Sequence, residues 1–131
     1  MAEYVFESAV TLAYRYLNGF YPGKVAREDE PPGYKPTDLL ILIKAGGGAG
    51  VNRHQLADTR LTFEVRCADE RAAETTANRV HALLREWPWR SDHVARTGVH
   101  GMPAWDPEPD RRIPAFTWTM EITVKSTTQV K

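Results

Sequence analysis

Ala115-Phe116-Thr117-Trp118-Thr119-Met120-Glu121-Ile122-Thr123-Val124-Lys125 alternates apolar and polar residues along its length. Phe116, Trp118, Met120, Ile122 and Val124 share one face, and Thr117, Thr119, Glu121 and Thr123 share the other. This is the period-two mark of a half-buried antiparallel strand. A second stretch, Thr59-Arg60-Leu61-Thr62-Phe63-Glu64-Val65-Arg66-Cys67, alternates in the same way. Between the two lies a helix pattern. Asp69 can cap it, Glu70 is well placed in its first turn, and Ala73, Ala77, Val80, Leu83, Leu84 and Trp87 form its apolar stripe up to Pro88. Two strands around one amphipathic helix predict an α+β fold: a mainly antiparallel sheet of about four strands with two helices packed on one face.

The length of the last strand carries a further expectation. It spans roughly 33 Å, about twice a usual strand of five or six residues. Burying its apolar face contributes on the order of 10 kcal/mol before entropy. A strand longer than its domain leaves backbone groups unpaired unless a long partner strand or another chain covers them. The expectation is that part of it pairs or packs across a subunit interface.

The remaining segments fill in around these two. Residues 3–18 read as a helix, with Val5, Ala9, Leu12, Ala13, Tyr16 and Leu17 on one face and Asn18-Gly19 as its stop. Phe6, Val10 and Tyr14 make a second apolar side, so the helix is either sandwiched in the core or half-covered by a partner, and the shortness of the chain favours the partner. The run Leu39-Leu40-Ile41-Leu42-Ile43 reads as a strand covered on both faces. Residues 19–37, 45–58 and 102–114 read as loops. The pattern around residues 93–99 leaves a short strand open. Residues 126–131 read as a polar tail, and residues 1–131 as one domain with no internal repeat.

Composition narrows the function classes. The chain has 131 residues, and 17 Lys and Arg balance 17 Asp and Glu. Zero net charge argues against free nucleic-acid binding as the main task, which usually needs a basic excess, and gives little protection from self-association. The single cysteine, Cys67, sits on the apolar face of its strand and reads as a small buried hydrophobe. No run reaches the roughly 18 apolar residues of a membrane span. The N-terminus lacks the basic flank and apolar core of a secretion signal, so the chain is expected to remain in the cytoplasm in which it is made.

Gly46-Gly47-Gly48-Ala49-Gly50 follows a strand, as a phosphate loop does, but Val51-Asn52-Arg53 stands where Lys and Ser/Thr would be needed. Arg53 and His54 could touch a phosphate backbone, yet two residues are no site. His54, His81, His93 and His100 form no close ligand pair, and zinc needs three or four convergent ligands. Asp106, Glu108 and Asp110 alternate like a calcium run, but Pro107 and Pro109 stiffen the loop and a closing carboxylate is missing. No nucleophile elbow occurs. The reading is therefore no enzyme, no cofactor and no metal. Trp89 and Trp105 fall in loops, where an indole is either tucked against the domain or kept for a partner.

The order of elements, with residues 58–68 leading into residues 72–84 and a closing strand at 114–124, resembles the tail terminator (tail completion, minor tail) proteins of long-tailed double-stranded DNA phages, in a version typical of phages of actinobacteria. The resemblance covers most of the chain and rests on pattern, without a catalytic signature. It implies a structural virion protein: a hexameric ring on the head-proximal end of the tail tube. Such a ring ends tube polymerisation and joins the tail to the head connector. It further implies three partners: further copies of the chain, the tail tube protein and a head completion or connector protein. DNA would cross the lumen without sequence-specific binding, and no membrane is involved. A ring arises when a head-to-tail interface closes by rotation. The expected interface residues are Gly46, Gly47, Gly48, Arg53, Trp89, Trp105, Phe116 and Trp118, with loops 45–55 and 102–112 meeting neighbours or axial partners. The competing readings are a head-to-tail connector or stopper, a tail tube subunit, and a small ligand-binding domain or enzyme using the 45–55 glycine loop.

Overall fold

A computed structural model describes residues 3–46, 50–53, 56–126 and 128–130. In chain order the elements are β1 (Glu3–Val5), α1 (Ala9–Phe20), β2 (Val25–Arg27), β3 (Leu40–Ala45), β4 (Gly50–Arg53), β5 (Leu56–Arg66), α2 (Glu70–Glu86), a 3-10 turn (Trp87–Trp89), β6 (Val94–Val99), β7 (Ala104–Trp105), β8 (Ala115–Lys125) and β9 (Thr128–Val130). The fold is α+β with two helices on one face of a mixed, mainly antiparallel sheet. The sheet is larger than the four strands expected. Seven strands join it in the order β2-β3-β5-β8-β6, with β4 beside β5 and β7 beside β8. The additional strands are short, and they fall where proline and glycine punctuate the sequence. One pair, β2 with β3, is parallel.

The two long strands sit at the centre. β5 and β8 pair along eleven positions, from Leu56 opposite Lys125 to Arg66 opposite Ala115. The register places Phe63 opposite Trp118, Leu61 opposite Met120 and Val65 opposite Phe116, so the apolar faces of both strands coincide. Phe63 and Trp118 stack with ring centroids 5.6 Å apart. Ile41 and Ile43 of β3 extend the same face, and α1 and α2 close over it with Leu12, Ala13, Leu17, Ala77, Val80 and Leu84. Tyr16 ties the helices together: its hydroxyl donates to the Leu83 carbonyl at 2.6 Å.

Leu40 and Leu42 point the other way and form a small cluster with Ala26 and Tyr34. The run at 39–43 is thus covered on both faces, as its composition predicts. The rest of that outer face is polar, with Thr62 and Thr119 bonded through their hydroxyls at 3.2 Å.

The N-terminal helix begins later than its periodicity suggests. Ser8 has extended backbone angles and its hydroxyl accepts the Thr11 N–H at 3.4 Å, which fixes the start. Residues 3–5 pair instead with β9, taking in part of the segment read as a polar tail. The helix also runs past Asn18-Gly19 and ends where the Tyr21 N–H reaches the Leu17 carbonyl at 2.9 Å. Val10, expected on a partner-covered side, is buried within the chain. At α2 the Asp69 carboxylate accepts the Ala72 N–H at 2.8 Å, so the expected cap is in place.

Candidate interaction surface

The long strand β8 is flanked on both sides inside its own chain over most of its length, Trp118 and Thr119 being paired on the β5 side alone among the described residues. β5 covers one side throughout, while β6 and then β7 cover the other. This corrects the expectation that its backbone is left for a neighbour: the strand 56–66 begins three residues earlier than its alternation shows and is long enough to match it. What the fold leaves open is the next edge out, formed by β6 and β7.

That edge is one broken strand. Val99 lies opposite Met120 and Ala104 opposite Thr117. The chain therefore takes five steps where β8 takes three, and residues 100–103 form a bow that leaves the ladder. Gly101 carries a φ of +155°, which favours glycine. Its carbonyl lies 3.1 Å from His81 Nε2 on α2, so the helix holds the bow. His81 is fully buried, and burial pushes its pKa down. Its Nδ1 and the indole N–H of Trp118 are both buried without a hydrogen-bond partner among the described residues. The two rings lie 5.7 Å apart, tilted at 59°.

Apolar side chains stand open along this edge. The exposed large hydrophobics of the described residues are Trp89, Val99, Met102 and Trp105. The sequence Trp87-Pro88-Trp89 explains the first. The 3-10 turn reverses the direction of successive indoles, so Trp87 stacks on Tyr16 at 5.0 Å in the core while Trp89 remains 84% exposed. Trp89 borders a groove of about 310 Å³ with Arg85, Pro88, Ala95, Arg96 and Thr97, which places it directly beside β6. Trp105 rests edge-on against Phe116, with centroids 5.5 Å apart.

The expected interface residues therefore divide. Trp89 and Trp105 reach the surface at one edge. Phe116 packs against Trp105, and Phe116 and Trp118 are equally buried within the chain, since the helices and β5 cover the face expected to meet a neighbour. Gly46 is across the sheet at the end of β3, where its N–H donates to the Arg60 carbonyl at 2.8 Å. A Cβ at Gly46 would lie 3.2 Å from that oxygen, which accounts for a glycine at this position. Arg53 belongs to β4. Gly47, Gly48 and His54 lie outside the described residues. Val99 and Met102 were missed. The period-two trace at 93–99 was the only signal for Val99, and a lone Met beside a proline carries none.

The other candidate groups are engaged in structure. In the acidic loop Glu108 accepts the N–H groups of Asp110 and Arg111, at 3.2 and 2.8 Å, and Asp106 accepts from the Thr117 hydroxyl at 3.3 Å. Cys67 is buried, and desolvation raises its pKa. Among the described residues no group of three or more His, Cys, Asp or Glu side chains is arranged to hold a metal. No described helix is long and apolar enough to cross a membrane. No family model matches this chain, and no curated protein matches it.

Proposed function

We propose that this chain is a ring-forming structural subunit of a phage tail, of the tail-terminator kind. The observation that carries the reading is that the exposed large apolar side chains of the described residues lie on or next to the β6–β7 side of the sheet, outside a well-packed core. A self-sufficient subunit with one adhesive edge suits assembly by repetition of one contact. Repeated around an axis, a head-to-tail contact closes into a ring.

In this reading six copies cap the head-proximal end of the tail tube. One face of the ring meets the tube protein and the other meets the head connector, while DNA crosses the lumen. The polar outer sheet face mixes signs, with Lys44, Arg60 and Arg96 near Glu64 and Glu121. Such a surface suits a passage in which DNA slides, because many net phosphate contacts would hold it. The virion tail is then the site of action and the host cytoplasm the site of assembly.

Negative-stain imaging of the purified protein, alone and mixed with tail tubes, tests the reading. Rings seated at one end of tubes are expected. Unlimited stacking of the protein on itself would identify a tube subunit, and binding only to the isolated head connector would identify a stopper.

A further inference from the structure

We infer that His81 on α2 and Trp118 on β8 form a binding site for one internal water molecule. The Trp118 indole N–H donates to this water, and the water donates to His81 Nδ1. The site lies inside the subunit and depends on nothing in the ring reading.

The chemistry of the two rings fixes their roles. His81 Nε2 lies 3.1 Å from the Gly101 carbonyl, and a carbonyl oxygen only accepts, so Nε2 carries the ring hydrogen. Burial favours the neutral imidazole, which leaves Nδ1 as an acceptor. The indole nitrogen of Trp118 is a donor and nothing else. Among the described residues the buried side-chain polar atoms without a hydrogen-bond partner are the Tyr34 hydroxyl, His81 Nδ1 and Trp118 Nε1. Two of these belong to neighbouring rings, with centroids 5.7 Å apart. One is an acceptor and the other a donor, so they are complementary ends of a bridge. His81 is fully buried and Trp118 is 5% exposed. Polar groups at that depth are costly to leave unpaired, and confining a water costs less.

Direct pairing of the two rings is opposed by what else holds them. Trp118 stands opposite Phe63 in the sheet and stacks on that ring at 5.6 Å. His81 is tied to the Gly101 carbonyl from its other nitrogen. Neither ring turns to meet the other without giving up its own contact. A bridge needs one acceptor and one donor in a small volume, and water supplies both.

The fold also provides a way in. Residues 100–103 leave the ladder beside Trp118 and Thr119, which are unpaired on that side among the described residues. A Cβ at Gly101 would meet no atom within 4 Å, so space is open at the residue whose carbonyl holds His81. The water therefore completes a chain of polar contacts from the bow, through α2, to the central strand.

The test is NMR on isotope-labelled wild-type protein at about pH 7.5, a unit above the ordinary histidine value. Nitrogen shifts of His81 are expected to show the hydrogen on Nε2 and a hydrogen-bonded, unprotonated Nδ1. The Trp118 indole proton is expected to give a direct cross-peak to a long-lived water. In His81→Leu, which removes the acceptor, that cross-peak should be lost while the other indole protons keep their spectra. A hydrogen found on Nδ1 overturns the inference, and so does a Trp118 indole proton with no water cross-peak. A scalar coupling between Trp118 Nε1 and His81 Nδ1 would show a direct bond and overturn it as well. A cross-peak that persists in a folded His81→Leu shows that His81 does not hold the water, which also overturns the site. Should that variant fail to fold, the wild-type spectra alone decide.

Discussion

Arg66 Nη1 donates to Glu30 Oε2 at 3.0 Å, joining the end of β5 to a loop 36 residues earlier. Arg66 also bonds Glu64, and Arg111 reaches the same Glu30 carboxylate from the loop before β8. Tyr34 lies under both guanidinium groups, 5.8 Å and 5.9 Å from its ring centre. The network stitches two proline-rich loops to one end of the sheet. It shows why those loops are ordered although their composition reads as solvated.

The Arg66 side chain is only 8% exposed and Glu64 12%. Removing the guanidinium leaves carboxylates with little water to replace it. Arg66→Met is expected to cost about 2–3 kcal/mol, below the fully buried case because Glu30 is a quarter exposed. Arg66→Lys should recover part of that loss, since it restores charge without the planar fork. Urea denaturation checks the order: wild type above Lys above Met. Equal midpoints for all three would show that the network is not stabilising.

The same carboxylate predicts an acid response. The hydrogen bond from Arg111, then that from Arg66, holds Glu30 below the ordinary carboxylate range. A group with a depressed folded pKa contributes its stability in full above the unfolded value of about 4.3, and that contribution is lost as pH falls through the lower folded value. Wild type should therefore lose stability more steeply than Glu30→Gln between pH 5 and pH 3. Parallel melting-temperature curves for the two proteins across that window would refute the assignment.

His81 gives a second window, higher in pH. Burial is the main cause that lowers its pKa, and the neighbouring Arg85 acts in the same direction. The folded protein thus favours the neutral ring. Stability from this group is complete above the unfolded value of about 6.5 and falls as pH drops from there toward the depressed folded value. Wild type is expected to soften between pH 6.5 and pH 5, and His81→Gln to lack that slope. Hydrogen exchange should locate the softening in α2 around His81, where burial opposes the charge, because the hydrogen bond to the Gly101 carbonyl acts in the other direction and survives protonation. A slope retained in the Gln variant would assign it to other groups.

The parts of this fold legible in sequence are those set by periodicity. Alternation predicts the strand at 115–125 to the residue, and cap and proline predict the helix after Asp69 to within one. The strands at 25–27, 50–53 and 104–105 look like loops in sequence, since two to four residues cannot display a period. Parallel pairing of β2 with β3 depends on where the 28–39 loop returns, which tertiary contacts such as Arg66 with Glu30 decide. At the candidate surface the same division holds. The loop indoles Trp89 and Trp105 were visible as unplaced aromatics. Phe116 and Trp118 look free for a neighbour in sequence because Leu56 to Asp58 shows only a weak alternation and hides the full length of β5, which pairs with their strand.

Trp87 and Trp89 lie two residues apart and make opposite predictions. Trp87 is 2% exposed and stacks on Tyr16, which in turn bonds α2 at Leu83. Trp87→Ala removes a large buried ring and is expected to cost about 3–5 kcal/mol. Trp89 is held only at its base, and Trp89→Ala should leave the stability of the isolated subunit within about 0.5 kcal/mol of wild type. The contrast separates folding from association. Chemical denaturation of dilute protein should register Trp87 alone, whereas the concentration dependence of the melting temperature should register Trp89, because binding between copies stabilises the folded state by mass action. A large loss for Trp89→Ala at high dilution would mean that its indole supports the fold, and the edge it marks would lose its strongest argument as a surface kept for another molecule.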